Sequence, residues 1–383
     1  MLATDIVPGA VTGTLNGAKI DTPIYAVAYE ATENFVYALT DGGIVYKMNG
    51  TTMEVTSTYK FNTDNFMATG VCLVVDDDLN LLFLMTVITT SQTKQNHTLL
   101  INTQNMQPIS YLWAFDTASR FPSEGDQCFL SKSSQQLFWA NYNPTSTLTS
   151  FLRLNYGTGG FQKDPTFLYS QLSQAIQAPT GRAYNTDANI FGYLKSVSTL
   201  QHQVYSWTPG NTPIKRLLSF SPTYSTSDPL SGDYNQGNFR YTRGPLFGTT
   251  NYNYLAFSSA ANGSLILQYD FPIPINSDPA VPKSSFYLTE KGMNVVIVDE
   301  KVFGNPSDKR VMIIGSKTGV LKKYRIVDSD SGPWTVQTPN YNGDESIDDK
   351  NSPLTALDVD VPNKQIYFAS YNPLAENGGV WRF

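Results

Sequence analysis

FASYNPLAENGGVWRF closes the chain, from Phe368 to Phe383. It reads as two strands around a turn, and no strand follows the second one, GVWRF. It also echoes an earlier stretch, WANYNPTSTLTSFLRL, from Trp139 to Leu154. A terminal strand and a repeated phrase are what a chain built from recurring sheet units leaves in its sequence. The other units lie upstream of Phe368.

Seven strand-like runs each follow a Gly or Pro: DTPIYA, ATGVCL, SEGDQC, PTGRAY, TRGPLF, EKGMNV and NSPLTA. The markers are Pro23, Gly70, Gly125, Gly181, Gly244, Gly292 and Pro353, at a mean spacing of about 55 residues, within the range of sheet-repeat proteins. Gly and Pro supply turn geometry that other residues resist. A second apolar run follows each marker: FVYAL, LLFLM, LFWAN, NIFGY, YLAFS, VMIIG and IYFAS. A third comes next: GIVYKM, TLLIN, SFLRL, QVYSW, SLILQY, VLKKYRI and GVWRF. Most units add a fourth, such as EVTSTYKF or PISYLWAF. Asn49-Gly50 and Asn262-Gly263 sit between strands as type I′ turn signals.

Units of four short strands at this period resemble a seven-bladed β-propeller, over essentially the whole chain. The fold class is therefore all-β, four antiparallel strands to a blade. A blade is apolar on both faces and hides them only against its neighbours, so the ring must close. The expected blades are 21–66, 67–122, 123–176, 177–238, 239–290 and 291–351, with the seventh made of 352–383 plus 1–20. The last unit lacks its outer strand, and the segment around GAVTGTL, Gly9 to Leu15, is expected to pair with GVWRF and supply it. The Trp-Asp of WD40 repeats is missing. The pairs Gly42-Gly43, Gly159-Gly160 and Gly378-Gly379 flank third strands, whereas kelch repeats carry theirs in the second. The resemblance is one of architecture, and function rests on sites.

Composition narrows the partners. The chain has 383 residues, 15% charged, with a net charge of −6. No Lys/Arg cluster offers nucleic acid a basic face. The longest apolar run, LLFLMTVI from Leu81 to Ile88, has strand length and cannot span a bilayer as a helix. The opening MLATDIVPGA lacks the basic and apolar regions of a signal peptide, which leaves export open.

In a propeller, ligands sit where the channel opens among two sets of segments: those leading into first strands and those joining second to third. Just before the first strands lie Asp21, Asp64, Glu124 and Asp126 in blades one to three, and Arg182, Arg243 and Lys291 in blades four to six. An acidic half facing a basic half suits a zwitterionic or sugar-like ligand, or a cation on the acidic side. The plainer reading is that connecting segments carry charge anyway. Tyr142 and Tyr371, in the repeated YNP, are expected in loops of that face, where they could stack on sugars or anchor a protein. Alternatively they pack between blades while Asn-Pro shapes the turn.

Catalytic material is sparse. His97 and His202 precede third strands in blades two and four, roughly 20 Å apart at a strand spacing near 4.8 Å, so they cannot share a metal. Asp64, Glu124 and Asp126 are the candidates for a carboxylate pair in a hydrolase or lactonase. DSDSGPW (Asp328 to Trp334, with Asp328 and Asp330) and GDESIDD (Gly343 to Asp349, with Asp344 and Asp348) are calcium candidates, read equally as solvated acidic loops. The triplet Asp76 to Asp78 is a hairpin turn. Sequons stand at Asn49, Asn96 and Asn262. Cys72 and Cys128 occupy matching first-strand positions in adjacent blades; equivalent side chains point the same way round a ring, which favours two buried free thiols over a bridge.

Three functions follow. The first is a non-catalytic, extracellular or secretory binding propeller, lectin-like, with a glycan or protein partner and no cofactor. The second is a propeller hydrolase using channel-mouth carboxylates with or without calcium. The third is a structural subunit whose partner is itself.

Overall fold

The structure is a computed structural model. It describes residues 16–20, 22–61, 67–89, 94–114, 128–132, 134–143, 148–169, 176–177, 190–196, 202–208, 211–220, 240–247, 250–259, 263–271, 284–288, 292–299, 310–316, 320–327, 335–337, 345–346, 354–360, 365–372 and 377–382, with side chains described mainly in the first three sheets and the last.

Apart from one short 3₁₀ turn at Asp41–Gly43, the described elements are β-strands, all paired antiparallel. Sheet I is Ile24–Glu30, Phe35–Thr40, Ile44–Asn49 and Val55–Lys60. Sheet II is Met67–Asp76, Leu81–Thr89, Lys94–Asn102 and Gln107–Ala114. Sheet III is Cys128–Ser131, Gln136–Asn143, Leu148–Gly157 and Gly160–Tyr169. Sheet IV is Ile176–Gln177, Ile190–Ser196, His202–Thr208 and Asn211–Phe220. Sheet V is Arg240–Phe247, Thr250–Ser259, Gly263–Phe271 and Ser284–Leu288. Sheet VI is Gly292–Asp299, Arg310–Ser316, Val320–Val327 and Thr335–Gln337, with Glu345–Ser346 as a further strand on Val320–Leu321. Sheet VII is Leu354–Asp360, Gln365–Asn372, Asn377–Arg382 and Asn16–Lys19. Each is a meander, strands in chain order, except that sheet VII takes its outer strand from the start of the chain.

The chain divides into two compact units, one of Thr22–Pro222 and one of Met1–Asp21 with Thr223–Phe383. In the first unit the apolar runs explain themselves. Leu82 and Leu84 face sheet I, in a core with Ala26, Ala28, Tyr37, Leu39, Leu99 and Ile101. Their neighbours Leu81, Phe83 and Met85 face sheet III, in a second core with Leu130, Leu137, Leu154 and Tyr156. A strand buried on both faces has no polar position to alternate with, so Leu81 to Met85 is continuously apolar. Each such side chain contributes about 1.5–3 kcal/mol through burial. The ring of Phe83 meets that of Tyr156 edge-on at 4.5 Å.

Sheets I to III repeat one turn design. The turn between first and second strands ends in a left-handed residue, Asn34, Asn80 or Gln135 (φ 56°, 56° and 51°). Its carbonyl accepts the N–H of Gly50, Thr103 or Tyr156, the residue after the Asn near the end of the third strand (2.8, 2.9 and 3.0 Å). In sheets I and II that Asn also bends the next turn. Asn49 Oδ1 accepts the N–H groups of Thr51 and Thr52 at 2.8 and 2.9 Å, and Asn102 Oδ1 those of Gln104 and Asn105 at 2.9 and 3.3 Å. The left-handed residues closing these turns are Met53 (61°) and Met106 (55°). Asn49-Gly50 is therefore not a type I′ turn. Gly50 is needed for close approach: a Cβ there would lie 2.2 Å from Asn34 Oδ1 and 2.9 Å from Asn34 O.

The end of the chain is paired as expected, by a different segment. Asn16 lies opposite Arg382, Gly17 opposite Trp381, Ala18 opposite Val380 and Lys19 opposite Gly379. The strand is Asn16–Lys19, the residues immediately after Gly9–Leu15, which lie outside the described residues. Two glycines make room for it. A Cβ on Gly17 would lie 2.3 Å from Trp381 Cε3, and one on Gly379 2.6 Å from the Ala18 carbonyl. Trp381 Nε1 donates to Ser370 Oγ at 2.7 Å, which fixes the indole over Gly17.

Three further expectations are corrected. The first strand of sheet IV is Ile176–Gln177, paired with Lys195 and Ser196, while PTGRAY lies outside the described residues. Glu345 of GDESIDD belongs to a short strand, not a loop. Cys72 is disulfide-bonded, and the chain's one other cysteine is Cys128. The two cysteines are not at equivalent positions: Cys72 lies four residues before Asp76, which ends its strand, and Cys128 three before Ser131, so they fall on opposite faces of their strands. Cys72, which follows a register shift after Gly70, faces the core shared with sheet III, where Leu130 of the Cys128–Ser131 strand points back at it. The pairing from Cys72 to Asp76 is unbroken, so this one-residue offset turns the two cysteines towards each other, and the two first strands pack on each other.

Candidate functional site

The expected channel-mouth residues fall mostly where the structure gives no description. Asp21, Asp64, Glu124, Asp126, Arg182 and Lys291 lie outside the described residues, as do Asp328, Asp330, Asp344, Asp348 and Asn262. Arg243 is on the first strand of sheet V, opposite Asn253. Tyr142 and Tyr371 are in strands rather than loops, each the penultimate residue of a second strand, opposite Thr149 and Gly378. The YNP echo is thus one structural position used twice, where the second strand runs out towards the third. Asn96 lies within the third strand of sheet II, opposite Ala114 and Val87. His97 and His202 likewise belong to third strands instead of preceding them.

Within each meander the two ends differ. Turns from first to second and from third to fourth strand share one end. In sheets I to III they are short and held by the repeated carbonyl and Asn contacts. The other end carries the second-to-third connections and the segments that lead from sheet to sheet, including 115–127 and 221–239, while the longer connections 178–189 and 272–283 join first to second and third to fourth strands within sheets IV and V. Tyr142 and Tyr371 belong to this second end.

The short-turn end is cross-tied from sheet to sheet. Asp76 Oδ1 accepts the N–H groups of Asp78 and Leu79, which makes the acidic triplet the hairpin turn expected of it. Its other oxygen accepts the hydroxyl of Tyr156 in sheet III at 2.7 Å. Asp77 pairs with Lys132 beyond the first strand of sheet III and accepts Thr32 Oγ1 of sheet I at 3.5 Å. Burial pushes the Asp77 carboxyl up, but the hydrogen bond and charge of Lys132 outweigh that and hold it below the usual value. The triplet's carboxylates stand within reach of a single ion, yet Asp76 and Asp77 already have these partners.

Between sheets I and II the tie is a buried network. Glu30, fully buried, accepts the Tyr37 hydroxyl and Thr103 Oγ1, the latter at 3.3 Å. Lys47 Nζ donates to the Thr103 carbonyl at 2.6 Å and lies 3.8 Å from the centroid of the Phe35 ring. Burial raises the Glu30 carboxyl, against the pull of Tyr37, Lys47 and Thr103. Burial also raises Tyr37 and lowers Lys47. Groups so enclosed cannot meet a substrate; the network holds two sheets together.

Its sequence signal was available. Glu30 and Asp76 end first strands, and Thr103 and Tyr156 follow the Asn near the end of third strands. An acid in one unit and a hydroxyl in the next recur at fixed places in the repeat.

At the opposite end of the same seam His97 is buried, with ring contacts to Phe61 at 5.7 Å and Tyr111 at 5.3 Å. Burial lowers its pKa to about 4, so it is neutral at physiological pH.

No protein-family model and no curated protein matches the chain. Solved structures do. The chain is similar to the extracellular domains 1–2 of Drosophila Semaphorin 1a, with TM-score 0.60 and 10% identity over 97% of this chain and 88% of that one. It is also similar to a chain of the Mitotic Checkpoint Complex (TM-score 0.58, 10% identity, 97% and 93% covered) and to U3-55K (0.55, 7%, 97% and 98%). The likeness is one of fold: an all-β, propeller-like arrangement of four-stranded antiparallel sheets. No helix among the described residues is long and apolar enough to cross a membrane.

Proposed function

We propose that the chain closes as a seven-bladed propeller and binds a protein partner at the end carrying its sheet-to-sheet segments, without catalysis. The observation that carries this reading is the difference between the two ends. In sheets I to III one end is built from short, repeated, mutually tied turns, while the segments that lead from sheet to sheet fall at the other end, and Tyr142 and Tyr371 each stand at that second end of their own sheet. A rigid frame presenting variable segments is the usual arrangement of a recognition surface. The matched chain of the Mitotic Checkpoint Complex belongs, as that name says, to an assembly of proteins.

Cys72 supports an oxidising compartment. A disulfide between consecutive sheets forms and persists in an oxidising environment, which supports an extracellular or secretory placement. The Semaphorin structures are of extracellular domains by name. In that compartment Asn49 is a suitable glycan acceptor. It is partly exposed, next to exposed Thr51, and its Oδ1 rather than its amide nitrogen holds the turn.

The test is binding of the full chain to protein and glycan arrays, repeated with Tyr142→Ala and Tyr371→Ala. Protein binding weakened at least tenfold by these changes, and unaltered by Thr52→Ala or Gln104→Ala at the short-turn end, supports the reading. Capture by glycans alone, or equal loss from changes at both ends, overturns it.

A further inference from the structure

The sheets do not guard their outer strands alike. An outer strand presents a row of unpaired N–H and C=O groups, and proteins blunt it with proline, charge, shortness or a cover. The outer strand of sheet II has Pro108, and its Ser110 Oγ accepts the Phe161 N–H of sheet III at 3.3 Å. That of sheet III carries Lys163, Asp164 and Pro165, and that of sheet IV Pro213, Lys215 and Arg216. Sheet VI ends in strands of three and two residues, and sheet VII in one of four.

Val55–Lys60 of sheet I, VTSTYK, is six residues long, with no proline and no charge before its terminal lysine. No described strand pairs with its outer side. Thr56, Thr58 and Lys60 are exposed. Val55, at 45%, is the one exposed large apolar side chain among the described residues. The ladder to the third strand skips Thr56, as the corresponding ladders of sheets II to IV also skip residues, and then runs unbroken from Ser57 to Lys60.

We infer that this edge is an interface between two copies of the chain, which pair antiparallel along Val55–Lys60 about a two-fold axis near Ser57.

The charge pattern selects a second copy as the occupant. Glu54, exposed, stands just before the strand, and Lys60 ends it. Two identical strands laid parallel would set Glu54 beside Glu54 and Lys60 beside Lys60. A two-fold axis instead makes the strands antiparallel and repeats every contact. The Glu54 end of each copy then meets the Lys60 end of the other, so both ends of the new ladder gain an opposite-charge pair. Centred on Ser57, the same arrangement sets Val55 opposite the half-buried Tyr59, and Thr56 opposite Thr58. One is an apolar pair and the other a hydroxyl pair, both favourable across strands. The exposed valine is covered, and the outward N–H and C=O groups find partners by strand addition. Six residues a side fall short of the ~800 Å² per partner of a standard interface, so the pair is weak, with a dissociation constant on the order of 100 μM. Binding of another protein at the segment-bearing end neither requires this contact nor supplies it.

The experiment is sedimentation velocity of the full, oxidised chain at low salt, from about 10 μM to about 1 mM. The wild-type chain should pass from monomer to dimer across that range. Glu54→Lys and Lys60→Glu each set like charges together at both ends, and each should weaken the dimer at least about tenfold. Mixed, the two variants restore both opposite pairs and should form a heterodimer as tight as the wild-type pair. The double variant should do the same with itself. Both positions are exposed, and melting temperatures check that each variant is folded. Ser284–Leu288 of sheet V is the other outer strand without proline or charge, one residue shorter, and serves as the control. Ser285→Lys there should leave the dimer unchanged. A chain monomeric at every concentration, a dimer indifferent to both charge reversals, a mixture of the two variants that stays monomeric, or a dimer lost in folded Ser285→Lys each overturns the inference.

Discussion

Tyr156, after the Asn in the third strand of sheet III, donates its hydroxyl to Asp76, at the end of the first strand of sheet II, at 2.7 Å. Both are almost fully buried. Tyr156→Phe keeps the ring against Phe83 and deletes only the donor, leaving a buried carboxylate oxygen short of a partner. The expected cost is about 1–3 kcal/mol, read by chemical denaturation at constant pH. Asp76→Asn in the same background should recover part of it.

Gly50→Ala places a methyl group against the Asn34 side chain and carbonyl. The left-handed Asn34 must then shift, and the Asn34 O to Gly50 N–H bond lengthens. We expect about 1–3 kcal/mol of destabilisation, the range of overpacking. Gly42→Ala is the informative comparison: nothing lies within 4 Å of its Cβ, and its cost is the strain of φ +80° alone, about 1–2 kcal/mol. Thermal melting of the two variants separates crowding from strain.

Lys132→Gln removes the partner that holds the Asp77 carboxyl low. The folded pKa lies below the unfolded value of 3.8, so the pair stabilises the fold above that pH, and this is lost as pH falls through the folded pKa. The lysine side chain is 40% exposed, which limits the effect at neutral pH to about 0–1 kcal/mol. Denaturant midpoints of wild type and variant should therefore differ at pH 7 and converge below pH 3.8.

Cys72→Ser removes the staple between sheets II and III. A cost of about 2–4 kcal/mol is expected under oxidising conditions, and none relative to wild type kept reduced. Alkylation and intact mass checks the premise: the wild-type chain takes up label only after reduction.

Much of the architecture was legible, because a two-faced strand such as Leu81–Met85 announces itself and the repeat multiplies the signal. The missing outer strand could be deduced from the end of the chain at GVWRF, but its register could not. That register depends on which residue tolerates the Trp381 indole, and Gly17 meets the requirement. The Cys72 bridge was not legible because the two cysteines differ by one residue in their distance from the first hairpin, four before Asp76 and three before Ser131, and a one-residue offset turns a side chain to the other face. Asn-Gly at 49–50 is a strong local turn signal, but the contact that demands glycine at Gly50 comes from Asn34, distant in sequence. The buried ties escaped notice because Glu30 and Thr103 mean little separately and acquire a role only when adjacent sheets are stacked.

The account turns on the first strand completing the last sheet. Its most direct test is the melting temperature of a chain lacking residues 1–20, alone and with a synthetic peptide of residues 12–20 added in excess. The account predicts a lower melting temperature on truncation and its recovery with the peptide, but not with a Gly17→Val peptide that collides with Trp381. A truncated chain that melts like the intact one would contradict it.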